Sequence, residues 1–133
     1  MSSPYLRALS AYSLLLEMLS EETPVAYAIL EERLLEQERL LRDAGHAFRF
    51  GRWAQGGLRD MLQSLLVSGF VRPDGELPED AGRAMWRKRA FLLTASGATY
   101  RSAVRDRCAA TLAPLLEVLD PEPPQERIPT TVP

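Results

Sequence analysis

Apolar residues spaced three and four positions apart predict a helix at the start of the chain, over about residues 4–20. Ser3 can cap this helix with its side chain, and Pro4 suits the first helical position because its fixed φ is already helical. The core-facing stripe contains Leu6, Leu9, Leu16 and Leu19. Other apolar residues widen this stripe, so we expect the helix to be buried on more than one side.

A second start signal, Thr23 followed by Pro24, precedes another stretch with helical spacing. It predicts a helix over about residues 24–44, which ends where Gly45 can adopt the left-handed conformation of a helix C-terminus. Glutamates occupy the opposite side of this helix, which is therefore expected to face solvent.

The middle of the chain combines a helix with two short strands. A stripe of apolar residues predicts a helix over about residues 54–68, closed by Gly69. Short apolar runs predict strands at about residues 70–72 and 90–94, and a Pro-Asp-Gly turn opens the polar connection between them. These elements predict a small β-hairpin in a mainly α-helical protein.

The end of the chain predicts one more helix and a tail. Helical spacing runs over about residues 96–119, and Pro114 is expected to kink this helix or divide it in two. Residues 120–133 contain five prolines and little apolar bulk, which predicts a disordered tail. The expected organisation is a single domain over residues 1–119 followed by this tail.

Composition indicates a soluble protein of a reducing compartment. The chain has 133 residues, of which 46% are hydrophobic, and this is enough for one core. Its single cysteine, Cys108, cannot form an intramolecular disulfide, and the N-terminus shows no secretory pattern. Since no apolar run is long enough for a membrane span, we expect a cytoplasmic protein with no membrane partner.

Charge is distributed unevenly along the chain, although the formal net charge is only −2. Residues 1–45 carry four arginines against eight acidic residues, whereas residues 46–107 carry eleven basic residues against six acidic ones. The rest, residues 108–133, carries one arginine against four acidic residues. A basic middle between acidic ends indicates either a surface that meets an anionic partner or ordinary solvated charge.

One stretch has a more specific order of residues. A leucine-rich helix leads through Gly69-Phe70-Val71 into a basic connection, and the next segment reads Phe91-Leu92-Leu93-Thr94-Ala95-Ser96-Gly97, followed by Tyr100. This order, over residues 54–105, resembles the second half of winged-helix regulators of the MarR and PadR type. In this pattern Thr94 caps the helix that follows, and Gly97 permits the close approach of that helix. The resemblance implies a winged helix-turn-helix with extra N- and C-terminal helices.

A second resemblance covers residues 48–71, which look like the Panacea or SocA-like antitoxin domains. Those domains carry an aromatic, glycine-containing segment before the same helix and strand. The present chain has Gly51-Arg52-Trp53 where they have Tyr-Gly-Pro.

The winged-helix resemblance implies that the helix at 54–68 is a recognition helix, with its N-terminal residues facing the major groove of duplex DNA. Glutamine and arginine on this helix can read base edges, arginines before it can hold phosphates, and the basic run at 87–89 belongs to the wing. The predicted DNA-binding residues are Arg49, Arg52, Gln55, Arg59, Gln63, Arg87, Lys88 and Arg89.

Two features leave this assignment open. Asp60 lies beside Arg59, which favours ordinary solvated surface over DNA contact. Gly56 and Gly57 weaken the first turn of the helix, so the helix can begin at Leu58 instead, and Gln55 then lies outside it.

The sequence offers little for catalysis, and we expect no enzyme activity, no metal site and no cofactor. His46 is the only histidine, and Cys108 lies on the apolar stripe of the last helix. Two classes of function remain. The first is a DNA-binding transcriptional regulator, expected to be a homodimer through its first and last helices. The second is a winged helix that binds a protein partner, as an antitoxin or assembly adaptor, and the acidic overall composition favours it.

Overall fold

The computed structural model describes residues 4–46, 57–78 and 80–119. Its helices are α1 (Pro4–Glu17), α2 (Tyr27–Asp43), α3 (Leu58–Val67), α4 (Arg83–Arg87), α5 (Ala95–Arg107) and α6 (Ala109–Leu119). Its strands are β1 (Val25–Ala26), β2 (Val71–Pro73) and β3 (Ala90–Leu93). The described part is mainly helical with a small antiparallel sheet, which confirms the coarse fold class predicted from the sequence.

The sheet has three strands in the order β1-β3-β2, and both pairs are antiparallel. The predicted hairpin corresponds to β2 and β3, with Val71 opposite Leu93 and Arg72 opposite Leu92. The third strand, β1, lies in a segment that the sequence assigned to the start of the second helix. The hairpin is therefore extended on its other side by a strand from the N-terminal part of the chain.

The second helix consequently begins at Tyr27 and not at residue 24, so the predicted start was wrong by three residues. Val25 and Ala26 pair with Phe91 and Ala90, which requires an extended backbone. The backbone N–H of Tyr27 then donates to the carbonyl oxygen of Arg89 at 2.9 Å. The helical start signal is overridden because β3 offers backbone partners to this segment.

The first helix ends at Glu17, three residues before the predicted end. Beyond it, the carbonyl oxygen of Ser20 accepts a hydrogen bond from the N–H of Leu93 at 2.8 Å. The hydroxyl of Ser20 also accepts hydrogen bonds from the backbone of Glu22 and Thr23. Ser20 therefore turns the chain out of α1 and toward the sheet.

The last predicted helix is two helices, and the break lies at Cys108 rather than at Pro114. Cys108 has φ −109° and ψ 22°, outside the helical range, whereas Pro114 lies within α6. The Cys108 side chain is buried and donates from Sγ to the carbonyl oxygen of Val104 at 3.0 Å. After this change of direction α6 packs against α1 and α2.

The core lies around α1, which contacts α2, α5 and α6. Its buried leucines fit the wide apolar face expected from the sequence. The largest fully buried side chains in the described residues include Leu15, Leu16, Leu30, Leu34, Leu41, Met61, Leu62, Phe91 and Leu93. The sheet closes this core through the face of β3 that carries Phe91 and Leu93.

The junction between α3 and α5 depends on Gly69, Thr94 and Gly97. Gly69 has φ +82°, a left-handed conformation that favours glycine, and it ends α3 as predicted. The Thr94 hydroxyl donates to the carbonyl oxygen of Gly69 at 2.7 Å and accepts from the N–H of Gly97 at 2.9 Å. A Cβ at Gly97 would lie only 1.9 Å from the carbonyl oxygen of Phe70. The predicted roles of Thr94 as a cap and of Gly97 in close approach are confirmed.

Candidate nucleic-acid interface

Helix α3 has one buried face and one exposed face. Leu58, Met61, Leu62 and Leu65 are buried. The outward face carries Arg59, Asp60, Gln63, Ser64 and Val67, all exposed. This alternation follows the helical period and places Arg59 and Gln63, four residues apart, on adjacent turns of the outer surface. Two of the predicted DNA-binding residues are therefore on one exposed helix face.

The start of α3 agrees with the shorter of the two predicted helices. The helix begins at Leu58, and Gly57 before it has φ +65°, which favours glycine. No side chain of the described residues caps this end with a hydrogen bond. Three further predicted residues, Arg49, Arg52 and Gln55, lie outside the described part of the chain.

The side chain of Arg59 is held by the segment between β2 and β3. Its Nη2 donates to the carbonyl oxygen of Ala81 at 3.4 Å, and its Cζ lies 5.8 Å from the centroid of the Trp86 ring. Trp86 is itself buried and stacks on Phe91, with 5.6 Å between ring centroids. The aromatic ring thus offers its π face to the guanidinium while it belongs to the core.

The connection, residues 74–89, is folded over the part that the structure describes, residues 74–78 and 80–89, and contains α4. Arg87 Nη2 forms an ion pair with Glu31 Oε1 of α2 at 2.9 Å. Arg89 Nε donates to the carbonyl oxygen of Glu76 at 2.6 Å, which closes the connection on itself. Two of the three basic residues predicted for the wing are therefore paired with acceptors of the same chain.

Other polar side chains near α3 and the connection are open to solvent. Gln63 on α3 and Lys88 at the end of α4 are exposed, and within the described residues their side chains make no hydrogen bond or ion pair. Arg72 is also exposed, at the centre of β2. Arg72 is not among the residues predicted to bind DNA, although its position in a predicted strand beside the wing points to it.

The uneven charge along the sequence has a partial structural explanation. Arg87 of the basic middle pairs with Glu31, and Arg105 of α5 pairs with Glu17 of α1. Arg101 donates to the carbonyl oxygen of Leu19 at 3.2 Å. Part of the basic excess therefore binds to the acidic N-terminal third and does not form a free cationic surface.

The only cysteine is poorly suited to nucleophilic chemistry. Burial raises the pKa of the Cys108 thiol, and hydrogen bonds with Ser10 and Ser13 lower it only in part. Burial therefore disfavours the thiolate, which is the nucleophilic form of cysteine. Among the described residues, no three histidine, cysteine or acidic side chains are grouped closely enough to hold a metal ion.

A separate groove lies between α1, α2 and α6, with a volume of about 500 Å³. Its apolar lining comes from Leu14 of α1, from Met18 just after that helix, and from Leu116 and Leu119 of α6. Charged residues of α2, including Glu32 and Arg33, stand along its edge. This groove involves the two terminal helices through which the sequence analysis expected a homodimer.

Comparison with known proteins finds no family model, no curated protein and no solved structure that matches this chain. None of the helices in residues 4–46, 57–78 and 80–119 is both long and apolar enough to cross a membrane.

Proposed function

We propose that the chain is a winged-helix protein that binds double-stranded DNA through the exposed face of α3 and through the connection. The observation that carries this proposal is the order of elements. Helix α3 leads directly into β2, the connection and β3, and this order matches the strand–wing–strand arrangement implied by the sequence resemblance. The antiparallel pairing of β2 with β3 further supports it.

The exposed polar residues suit the chemistry of a duplex. The side chain of Gln63 can form two hydrogen bonds with adenine in the major groove, and Arg59 can do the same with guanine once it leaves Ala81. Arg72 and Lys88 can contact phosphates, which position a protein on DNA without reading its sequence. In this role the connection is the wing.

A salt titration tests the proposal. Binding to a duplex should weaken as salt rises, with a log–log slope of about −0.9 for each phosphate contacted. Replacing both Arg72 and Lys88 with alanine should make the slope shallower by about 1.8, because two phosphate contacts are lost. Replacing both Arg39 and Arg42 with alanine is the matched control, since these two arginines are exposed on α2 and pair with acidic residues of that same helix. If the duplex does not bind even at low salt, the proposal is wrong.

The homodimer expected for the DNA-binding regulator has its own candidate surface, the groove between α1, α2 and α6. Leu116, which lines this groove together with Leu14 and Met18, is 41% exposed. We propose a second copy of the chain as the occupant, because α1 and α6 both contribute to the groove. Light scattering over a range of protein concentrations tests this, and a constant monomer mass would contradict the homodimer.

A further inference from the structure

The ion pair between Arg87 and Glu31 joins two elements that are far apart in the sequence. Arg87 lies at the end of α4, and Glu31 lies in the second turn of α2. Their side chains remain 55% and 36% exposed, so the pair is at the surface and water reaches both groups. An ion pair in this setting is weak and exchanges readily with other partners.

Glu31 offers Arg87 anionic oxygens, as a phosphate of DNA does. Carboxylates and phosphates both accept charge-assisted hydrogen bonds from a guanidinium through anionic oxygens. While one N–H of Arg87 Nη2 donates to Glu31, that N–H is not available to a phosphate, and the carboxylate offsets the positive charge that would attract one. The two acceptors therefore compete for one cation.

The position of Arg87 does not depend on this ion pair alone. The preceding residue, Trp86, is 2% exposed and stacks on Phe91 of β3. The backbone N–H of Arg89 bonds to the carbonyl oxygen of Trp86 at 3.1 Å. Removing the charge of Glu31 should thus free the guanidinium while the backbone of α4 stays in place.

We propose that Glu31 is an internal competitor for phosphate, which occupies Arg87 and lowers the affinity of the wing for DNA. This inference rests on the proposed function, because it requires that Arg87 faces a DNA backbone when Glu31 releases it. Glu31 regulates the same surface from α2 and makes no contact with DNA itself.

The test compares Glu31→Gln with Glu17→Gln, using a mixed-sequence duplex and a salt titration. Both substitutions remove one negative charge from an inter-element ion pair, but Glu17 binds Arg105 on α5 and not the connection. We expect Glu31→Gln to tighten binding about two- to fivefold, the range for an exposed ion pair, and to steepen the log–log slope by about 0.9. Glu17→Gln should leave the slope unchanged and have a smaller effect on affinity.

The outcomes separate the inference from the function on which it rests. If the wild-type chain binds the duplex and the two variants behave alike, the effect is one of net charge and the inference is wrong. An Arg87→Ala background provides a second check, because there Glu31→Gln should no longer steepen the slope. If neither the wild-type chain nor any variant binds, both the proposed function and the inference are wrong.

Discussion

The helices around α1 and the connection between β2 and β3 are held in place by different forces. Leu15 and Leu16 of α1 are fully buried, and such burial contributes about 1.5–3 kcal/mol for each leucine. In the connection, Arg87 and Arg89 bond to Glu31 and to a backbone carbonyl in largely hydrated surroundings. The first region is therefore held mainly by apolar burial, whereas the connection combines one buried anchor, Trp86, with exposed polar contacts that determine where its cationic side chains stand.

The largest loss of stability should come from a cavity in the core around α1. Leu16→Ala should lower the free energy of unfolding by about 2–5 kcal/mol, because a fully buried side chain leaves a void. Leu35→Ala is the matched control, since Leu35 is 57% exposed on α2 and should change stability by no more than about 0.5 kcal/mol. Urea unfolding measures both. Equal effects would show that α1 is not the centre of the core.

A smaller loss of stability is expected from a substitution where α5 approaches the turn after α3. Gly97→Ala should cost about 1–3 kcal/mol, because the new Cβ would collide with the backbone carbonyl of Phe70. Gly82→Ala in the connection is the control, since a Cβ there meets nothing within 4 Å and the φ of −81° suits alanine. Thermal unfolding of both variants checks this, and a neutral Gly97→Ala would mean that α5 lies farther from the turn.

The smallest effect on global stability is expected from a substitution in the connection. Arg89→Ala removes the hydrogen bond to Glu76 and should cost only about 1 kcal/mol globally. Hydrogen exchange should nevertheless become faster at the amides of Trp86 and Lys88, while the amides of α1 keep their protection.

Arg39→Ala is the comparison variant, since Arg39 pairs only with Glu36 and Asp43 of its own helix. Its exchange pattern in α4 should match that of the unaltered chain. Faster exchange throughout the protein after Arg89→Ala would instead show that the connection and the core unfold as one unit.

Features that depend on neighbours in sequence were predictable. The end of α3 at Gly69 and the cap at Thr94 follow from local conformational preferences, and both appear as expected. The strand β1 was not predictable, because its two residues are too few to show a period and their partners lie in β3. The break lies at Cys108, ahead of the helix that packs against α1 and α2, and Pro114 within that helix did not reveal it.

The candidate interface could likewise be predicted only where it depends on residues close together in the sequence. The helical period of α3 indicates which of its residues face outward, and Arg59 and Gln63 are indeed exposed. It does not indicate that Arg59 binds the carbonyl oxygen of Ala81, because a backbone acceptor has no signature in the sequence. The pairing of Arg87 with Glu31 also joins distant segments that only the tertiary fold brings together.

The single hydroxyl of Thr94 joins the end of α3 to the start of α5, and Gly97 keeps any side chain from standing between α5 and the turn. The end of α3 and the first turn of α5 are therefore held in one fixed relation, although the two helices are separated in the chain by the whole hairpin.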